Sequence, residues 1–368
     1  LPSKSTDPEQ LSANVFPLSG FLNNLWSQCS VRLNGHALPP TNDYPYVAML
    51  LAILGTSQDV RDAVLTPLGG GILESDSQAH IELGEEKSYM THHSGIAGSK
   101  ELVLYGRINS DFLVSLAQLL PDTLDLDIEL TRGRDSFARG SSDPEADFRI
   151  KLNSLTLFVK RVHFNSAAQQ VLGQALSKEA FFLKYQRMQS RVMFVPRDSK
   201  TFSWGNVFST GPLPKRVFFL LVDQSGYSGA INYRPVYCEP ANVSEVRFLV
   251  DGRDILPEPF RPRFKMVADS VSVFDSDIKS VVLALHSVTG SFFRHSKASG
   301  CIKPNDMLRG ALIYAATLPH SLGNQPRVGT FDIALTFKTN SRRSYTAICL
   351  AEFDQCIKVV NKRDVHLV

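Results

Sequence analysis

Alternation of apolar and polar positions runs through most of this chain. Leu124, Leu126, Ile128 and Leu130 are separated by Asp125, Asp127 and Glu129, and Phe331, Ile333, Leu335 and Phe337 follow the same pattern. A period of two gives a strand one buried and one wet face. Val217-Phe218-Phe219-Leu220-Leu221-Val222 is continuously apolar between Pro214-Lys215-Arg216 and Asp223-Gln224-Ser225-Gly226, which predicts a strand covered on both faces. Helical signals are fewer. Pro45 and Gly55 frame Tyr46–Leu54, matching proline near a helix start and glycine past its end, and Asp59–Leu65 adds a turn. Asn165 and Ser166 are caps for a second helix over Ser166–Tyr185, where Val171, Leu172, Leu176, Phe181, Phe182 and Tyr185 fall at roughly helical spacing. Pro67–Glu86, Gly140–Ala146 and Ser287–Asp306 are rich in Gly, Ser, Pro and Asp and predict loops.

The strand patterns occur twice in the same order. Asp127-Ile128-Glu129-Leu130-Thr131 answers Asp332-Ile333-Ala334-Leu335-Thr336. Ile150, Leu152, Leu155, Val159, Lys160 and Val162 have the spacing of Ile348, Leu350, Phe353, Ile357, Lys358 and Val360. Val31-Arg32-Leu33-Asn34-Gly35 answers Val246 to Gly252, each run ending in an Asn-Gly or Asp-Gly pair that favours a tight hairpin. Three collinear matches predict two copies of one fold, because repeated spacing of inward-facing residues implies repeated strand order and register.

The expected fold class is therefore all-β, a double jelly roll of two eight-stranded antiparallel sandwiches. Residues 1–165 form the first, 166–187 a linker helix and 188–368 the second. Strand candidates number about eight or more from Arg191 onward but only about six between Leu25 and Phe164, so the first sandwich is expected to lack its opening strands.

At 368 residues the chain exceeds the roughly 100–200 residues of one domain, in keeping with the duplication. No apolar run approaches the ~18 residues of a membrane span. The net charge of +3, from 39 basic and 36 acidic residues, is spread without a basic stripe, which argues against sequence-specific nucleic-acid binding. Cys29, Cys238, Cys301, Cys349 and Cys356 are odd in number and contain no Cys-x-x-Cys pair, against a disulfide framework or a four-cysteine zinc site. Asn242-Val243-Ser244 fits a glycosylation acceptor only in a secreted protein.

Catalytic chemistry finds no foothold. Adjacent His92 and His93 would point to opposite faces of a strand and could share a metal only from a loop, and no His-x-His with a following carboxylate exists, so the pair is read as a solvated loop. Gly69-Gly70-Gly71 lacks the Lys-Ser/Thr of a phosphate loop, and Gly-x-Ser-x-Gly is absent. Asp125, Asp127 and Asp332 belong to the polar faces of strands. Arg132-Gly133-Arg134-Asp135-Ser136-Phe137 reads as a locally paired charged turn, and Trp26 and Trp204 as core anchors. No catalytic, cofactor or metal residue is predicted, and the chain is read as a non-enzyme.

Phe21-Leu22-Asn23-Asn24-Leu25-Trp26-Ser27-Gln28-Cys29-Ser30-Val31-Arg32-Leu33-Asn34-Gly35, then Asn42-Asp43-Tyr44-Pro45-Tyr46 and an apolar helix, resembles the major capsid protein (hexon) of Maverick/Polinton elements and adintoviruses. Gly106-Arg107-Ile108-Asn109-Ser110-Asp111, Arg134-Asp135-Ser136-Phe137, Gly211-Pro212-Leu213-Pro214-Lys215-Arg216-Val217, Val250-Asp251-Gly252 and Ala351-Glu352-Phe353-Asp354-Gln355 follow in that family's order. The resemblance spans Phe21 to the C-terminus. It implies a double jelly-roll subunit of an icosahedral viral capsid, assembled inside the host cell as pseudo-hexameric homotrimers, with itself and penton or minor capsid proteins as partners and the virion as its location. Family members carry strand-forming sequence before the Leu-Trp-Ser-Gln region, which implies an incomplete first jelly roll here. The alternative function is a two-domain β-sandwich binding module, a lectin or receptor-binding protein, which would act as a monomer or small oligomer. An enzyme on a jelly-roll scaffold would need a convergent His/carboxylate site that the spacing does not supply.

Overall fold

The computed structural model describes residues 15–56, 60, 79–81, 101–115, 119–145, 149–178, 180–209, 211–267, 270–271, 276–289, 302, 304–318, 327–361 and 364–367. The first half contributes β1 (Val15–Pro17), β2 (Trp26–Leu33), β3 (His36–Ala37), β4 (Leu126–Arg132) and β5 (Arg139–Ser141). There follow β6 (Phe181–Val195), β7 (Thr201–Trp204), β8 (Gly211–Pro212), β9 (Arg216–Asp223), β10 (Val243–Val250), β11 (Arg253–Asp254) and β12 (Met266–Val267). The last group is β13 (Ser270–Val271), β14 (Tyr314–Thr317), β15 (Val328–Gly329), β16 (Phe331–Phe337), β17 (Tyr345–Val360) and β18 (Asp364–Leu367).

In the second half, β14-β9-β17-β18, with β6 also on β17, makes one sheet and β11-β10-β16-β7 the other. Both line one core. Phe219 of the first sheet meets Phe248 of the second at 6.4 Å between ring centres, and Phe260 meets Tyr314 at 5.6 Å. The apolar run Val217–Val222 is the buried strand its pattern predicts, flanked by β14 and β17. Beside it Glu352, nearly fully buried, accepts two bonds from Arg216 Nε at 3.1 Å each and a further one from its Nη2, so the charge that the sheet buries is paired. Among the described residues the first half has the smaller sheets, β3-β2-β4 and β1-β5.

Two of the three sequence repeats recur in hydrogen-bond detail. In the β2–β4 pair Val31 lies opposite Ile128 and Leu33 opposite Leu126; in β10–β16 Phe248 lies opposite Ile333 and Val250 opposite Phe331. The Asn34-Gly35 turn has φ values of 49° and 78°, the Asp251-Gly252 turn 52° and 75°. These left-handed pairs are the geometry of a two-residue hairpin that follows strand twist. Asn34 N donates to Asp125 O and Asn34 Oδ1 accepts from Asp125 N; Asp251 N donates to Thr330 O and Asp251 Oδ1 accepts from Thr330 N. Each pair also shifts register at its far end, between Trp26 and Gln28 and between Val243 and Glu245. At each bulge a serine hydroxyl donates to a partner-strand carbonyl, Ser27 to Thr131 O at 3.3 Å and Ser244 to Thr336 O at 3.0 Å. Bulges reset register, so a shared bulge shows that the two copies are built alike.

The third repeat diverges. Ile348 and its companions lie in β17, where Ile348, Leu350 and Ile357 are fully buried, but Ile150–Val162 forms no strand and residues 151–172 are all exposed. The physical reason is partnership: β17 is held by β6, β9 and β18, whereas no described residue pairs with the backbone of 151–164.

Three further expectations are corrected. The predicted linker helix over 166–187 ends at Lys178, capped by Asn165 Oδ1 on Ala168 N at 2.8 Å. Phe181, Phe182 and Tyr185 belong to β6, because all fifteen residues of Phe181–Val195 pair with β17. Gly140–Ala146 begins in β5, where Gly140 pairs with Phe16; a Cβ there would come within 2.6 Å of Ile81 Cδ1. Ser287–Asp306 is entered by the helix Lys279–Thr289, whose buried Val281 and Leu285 stand one turn apart, and left by the helix Pro304–Leu308. The helix expected over Tyr46–Leu54 spans Tyr44–Gly55. Of the turn predicted over Asp59–Leu65 only Val60 is described.

Candidate functional site

The joint between the two copies gathers a set of buried, hydrogen-bonded polar side chains. The helix Tyr44–Gly55 has too many apolar residues for one buried stripe and is covered nearly all round. Its Tyr44 and Ala48 join the first core, while Tyr46, Val47, Met49, Leu50 and Ile53 join the second. Tyr46 donates its hydroxyl proton to Pro235 O at 2.8 Å, and burial drives its ionisation well above the ordinary range. The long strands β6 and β17 cross the same joint. Met188, Ile348 and Leu350 lie in the second core, but Leu183, Tyr185, Ile357 and Val359, with Val365 of β18, lie in the first.

The outer edge of β6 would be a row of unpaired backbone donors. Two of these are met by side chains of the helix Asp111–Ser115: Met188 N donates to Asp111 Oδ2 at 3.0 Å and Gln186 N to Ser115 Oγ at 2.9 Å. Asp111 Oδ1 also accepts from Phe112 N at 2.7 Å, Thr41 Oγ1 at 2.8 Å and Ser110 Oγ at 3.2 Å. Burial raises the Asp111 carboxyl above its ordinary range while these four donors pull it back. Ser190 Oγ adds a bond to Asp43 Oδ2 at 2.7 Å. Elsewhere on the joint Ser141 N reaches Ile231 O, Ile81 N reaches Asn232 O and Arg234 N reaches Ala79 O, all within 3.0 Å. A buried carboxylate with every neighbour a donor is a clamp rather than an acid or base.

A second ionic cluster closes the turn before β17. Arg343 Nη1 lies 3.7 Å from Asp223 Oδ2 and 3.8 Å from Glu239 Oε1. Asp223 Oδ1 caps Ser225 N at 2.7 Å. Burial, then the Asp223 charge, raise the Glu239 carboxyl to about 7; the guanidinium is too distant for hydrogen bonding, so desolvation outweighs its attraction. Among the described residues no three His, Cys, Asp or Glu side chains group to hold a metal.

The residues singled out by sequence are placed as follows. Trp26 and Trp204 are buried, one in each core. Asp125 and Asp127 lie on the exposed face of their strand segment, and Asp332 Oδ1 accepts from Asn206 N at 2.6 Å. In the charged turn Arg132 pairs with Asp135 at 2.6 Å and Arg134 donates to Ser228 O. Cys29, Cys238, Cys349 and Cys356 are free thiols; burial pushes Cys29 up to about 11 and Cys238 to about 12. Cys301, His92, His93 and Gly69–Gly71 lie outside the described residues. The sequence motifs did not reveal Asp111 as the clamp, although Asp111 closes one of the segments quoted above; its partners are scattered from Thr41 to Met188.

The other notable surface is apolar. Leu155, Leu157, Phe158 and Val159 are 55–81% exposed, and Val171 is 68% exposed in the adjoining helix. No Asp or Glu occurs from Arg149 through Lys178, so this surface is both apolar and cationic. No described helix is long and apolar enough to cross a membrane.

No protein-family model matches the sequence, and no curated protein does. Among solved structures, a chain of the Sputnik virophage cryo-EM structure aligns over 96% of this chain and 76% of its own length, at 9% identity and a TM-score of 0.51. The mavirus major capsid protein aligns over 100% and 80% at 9% identity and TM-score 0.48, and a chain of the PBCV-1 virus capsid model over 96% and 87% at 10% and 0.47. With the internal duplication and the shared bulges, the Sputnik likeness gives the fold: this chain is an all-β double jelly roll.

Proposed function

We propose that this chain is a structural subunit of an icosahedral viral capsid, a major capsid protein that assembles as pseudo-hexameric homotrimers. The observation that carries this reading is the duplication, repeated down to bulge and turn. Two like sandwiches fixed in one chain and repeated about a threefold axis present six similar blocks, so a trimer fills a sixfold lattice position through heterologous contacts that close a ring. The joint supports this, because a clamp of buried hydrogen bonds and a shared helix fix the angle between the blocks. The likeness to a chain of the Sputnik virophage and the sequence resemblance to the Maverick/Polinton and adintovirus hexon point the same way. On this reading residues 1–165 and 188–368 are the two blocks around 166–187, the protein resides in the virion after assembly in the host cell, and penton or minor capsid proteins are its further partners. It performs no catalysis and carries no cofactor.

Sedimentation velocity at micromolar concentration, with negative-stain microscopy of the same sample, tests the proposal. Trimers of hexagonal outline that bury more than about 2,000 Å² in total are expected. A stable monomer that binds a glycan specifically would replace this reading with the lectin one.

A further inference from the structure

The loop 224–238 seats the second copy on the first. Its Ser228 O and Pro235 O accept from Arg134 Nη1 and, at 2.8 Å, from the Tyr46 hydroxyl. Ile231 O and Asn232 O accept from Ser141 N and Ile81 N, and Arg234 N donates to Ala79 O. Tyr227 stacks on Tyr46 with ring centres 6.1 Å apart. Each end of this loop carries a carboxylate. Asp223 precedes it and Glu239 follows it, with side chains 3% and 13% exposed. One guanidinium stands between them. Arg343 Nη1, 3.7 Å from Asp223 Oδ2 and 3.8 Å from Glu239 Oε1, is too far from either for a hydrogen bond, while Asp223 Oδ1 is committed to Ser225 N at 2.7 Å.

We infer that this cluster is a pH-sensitive lock on the joint: a proton on Glu239 keeps the loop seated on the first copy, and loss of that proton loosens it. With Glu239 neutral, one carboxylate faces one guanidinium and the charges balance. With Glu239 ionised, two carboxylates share a single cation at the base of the loop, where little water screens their repulsion. Burial, then the Asp223 charge, raise the Glu239 carboxyl to about 7, so the lock opens as pH rises through neutrality. Tyr233 of the loop and Tyr345 of β17 face the same carboxylates, and burial raises both phenols, so they stay neutral throughout this range. Arg342 also acts on Tyr345, less strongly than Arg343 does. The rival sensor is the imidazole of His80, whose ring meets Tyr233 at 4.9 Å between centres and whose Nε2 lies 3.3 Å from Asn232 Nδ2. The lock acts within one chain, so it stands or falls apart from capsid assembly.

Hydrogen exchange of the full chain, read by mass spectrometry and corrected for intrinsic base catalysis, tests this. Peptides carrying Ile81, Ser141 and Arg234 should lose protection at least ~10-fold between pH ~5.5 and ~8.5. The Asn34 amide, bonded to Asp125 O in the first copy's hairpin, should keep its protection. Glu239→Gln, which copies the shape of the protonated side chain, should hold the three peptides protected at both pH values, whereas His80→Gln should leave the wild-type response. Circular dichroism should find both variants folded. Protection that does not change with pH in the wild-type chain, an unaltered response in Glu239→Gln, or loss of the response in His80→Gln alone would overturn the inference. Thermal melts that slope with pH while these peptides do not respond would overturn it too, because Glu239 would then stabilise its sandwich without governing the joint.

Discussion

Replacing Asp111 with alanine should loosen the joint more than any other single polar change, and the size of the effect follows from its partners. The carboxylate serves four donors, and removal leaves at least the Met188 N–H and the Thr41 hydroxyl without an acceptor. Both residues are nearly fully buried, Met188 at 3% and Thr41 at 1% exposed, so water does not replace the lost oxygen. A stranded buried polar group costs ~1–3 kcal/mol, which gives ~2–6 kcal/mol for the pair. Relief of the carboxylate's own desolvation opposes this, and a net loss of ~3 kcal/mol is expected. Asp111→Asn keeps one oxygen for Thr41 and Phe112 but turns an amide toward Met188 N, so it should lose ~1–3 kcal/mol. Urea denaturation followed by circular dichroism measures both. Alanine and wild-type chains within ~0.5 kcal/mol of each other, at the same denaturant slope, would show that the clamp does not hold the copies together.

Two further outcomes are expected. Gly35→Ala and Gly252→Ala should each cost ~1 kcal/mol, because both glycines have φ near 75° with open space around a built Cβ; costs that differ several-fold in denaturant titrations would break the equivalence of the hairpins. Glu239, raised from 4.5 to about 7 by burial, keeps its proton in the folded chain while the unfolded chain ionises. Its stabilisation is therefore complete below pH ~4.5 and is lost as pH rises through ~7, at up to ~1.4 kcal/mol per unit. Thermal melts across that window should slope downward, and Glu239→Gln should flatten them; an unchanged slope in the variant would assign the effect elsewhere.

Strand identity, hairpin turns and the two-copy plan were legible from the chain alone, because each depends on near neighbours. Alternation places Ile128 and Ile333 inward whatever lies beyond, and Asn34-Gly35 and Asp251-Gly252 bend the backbone by their own left-handed preference. Other features depended on contacts distant in sequence. Phe181, Phe182 and Tyr185 fit a helical period as well as a strand, and only the fifteen-residue pairing of Phe181–Val195 with β17 made them a strand. Asp111 became a clamp because folding brings Thr41 and Met188 to either side of it. Ile150–Val162 and Ile348–Val360 carry the same spacing, yet one is exposed and the other buried. A segment's pattern fixes which side chains share a face, but burial of that face is a property of the strands beside it, and among the described residues only Ile348–Val360 has them.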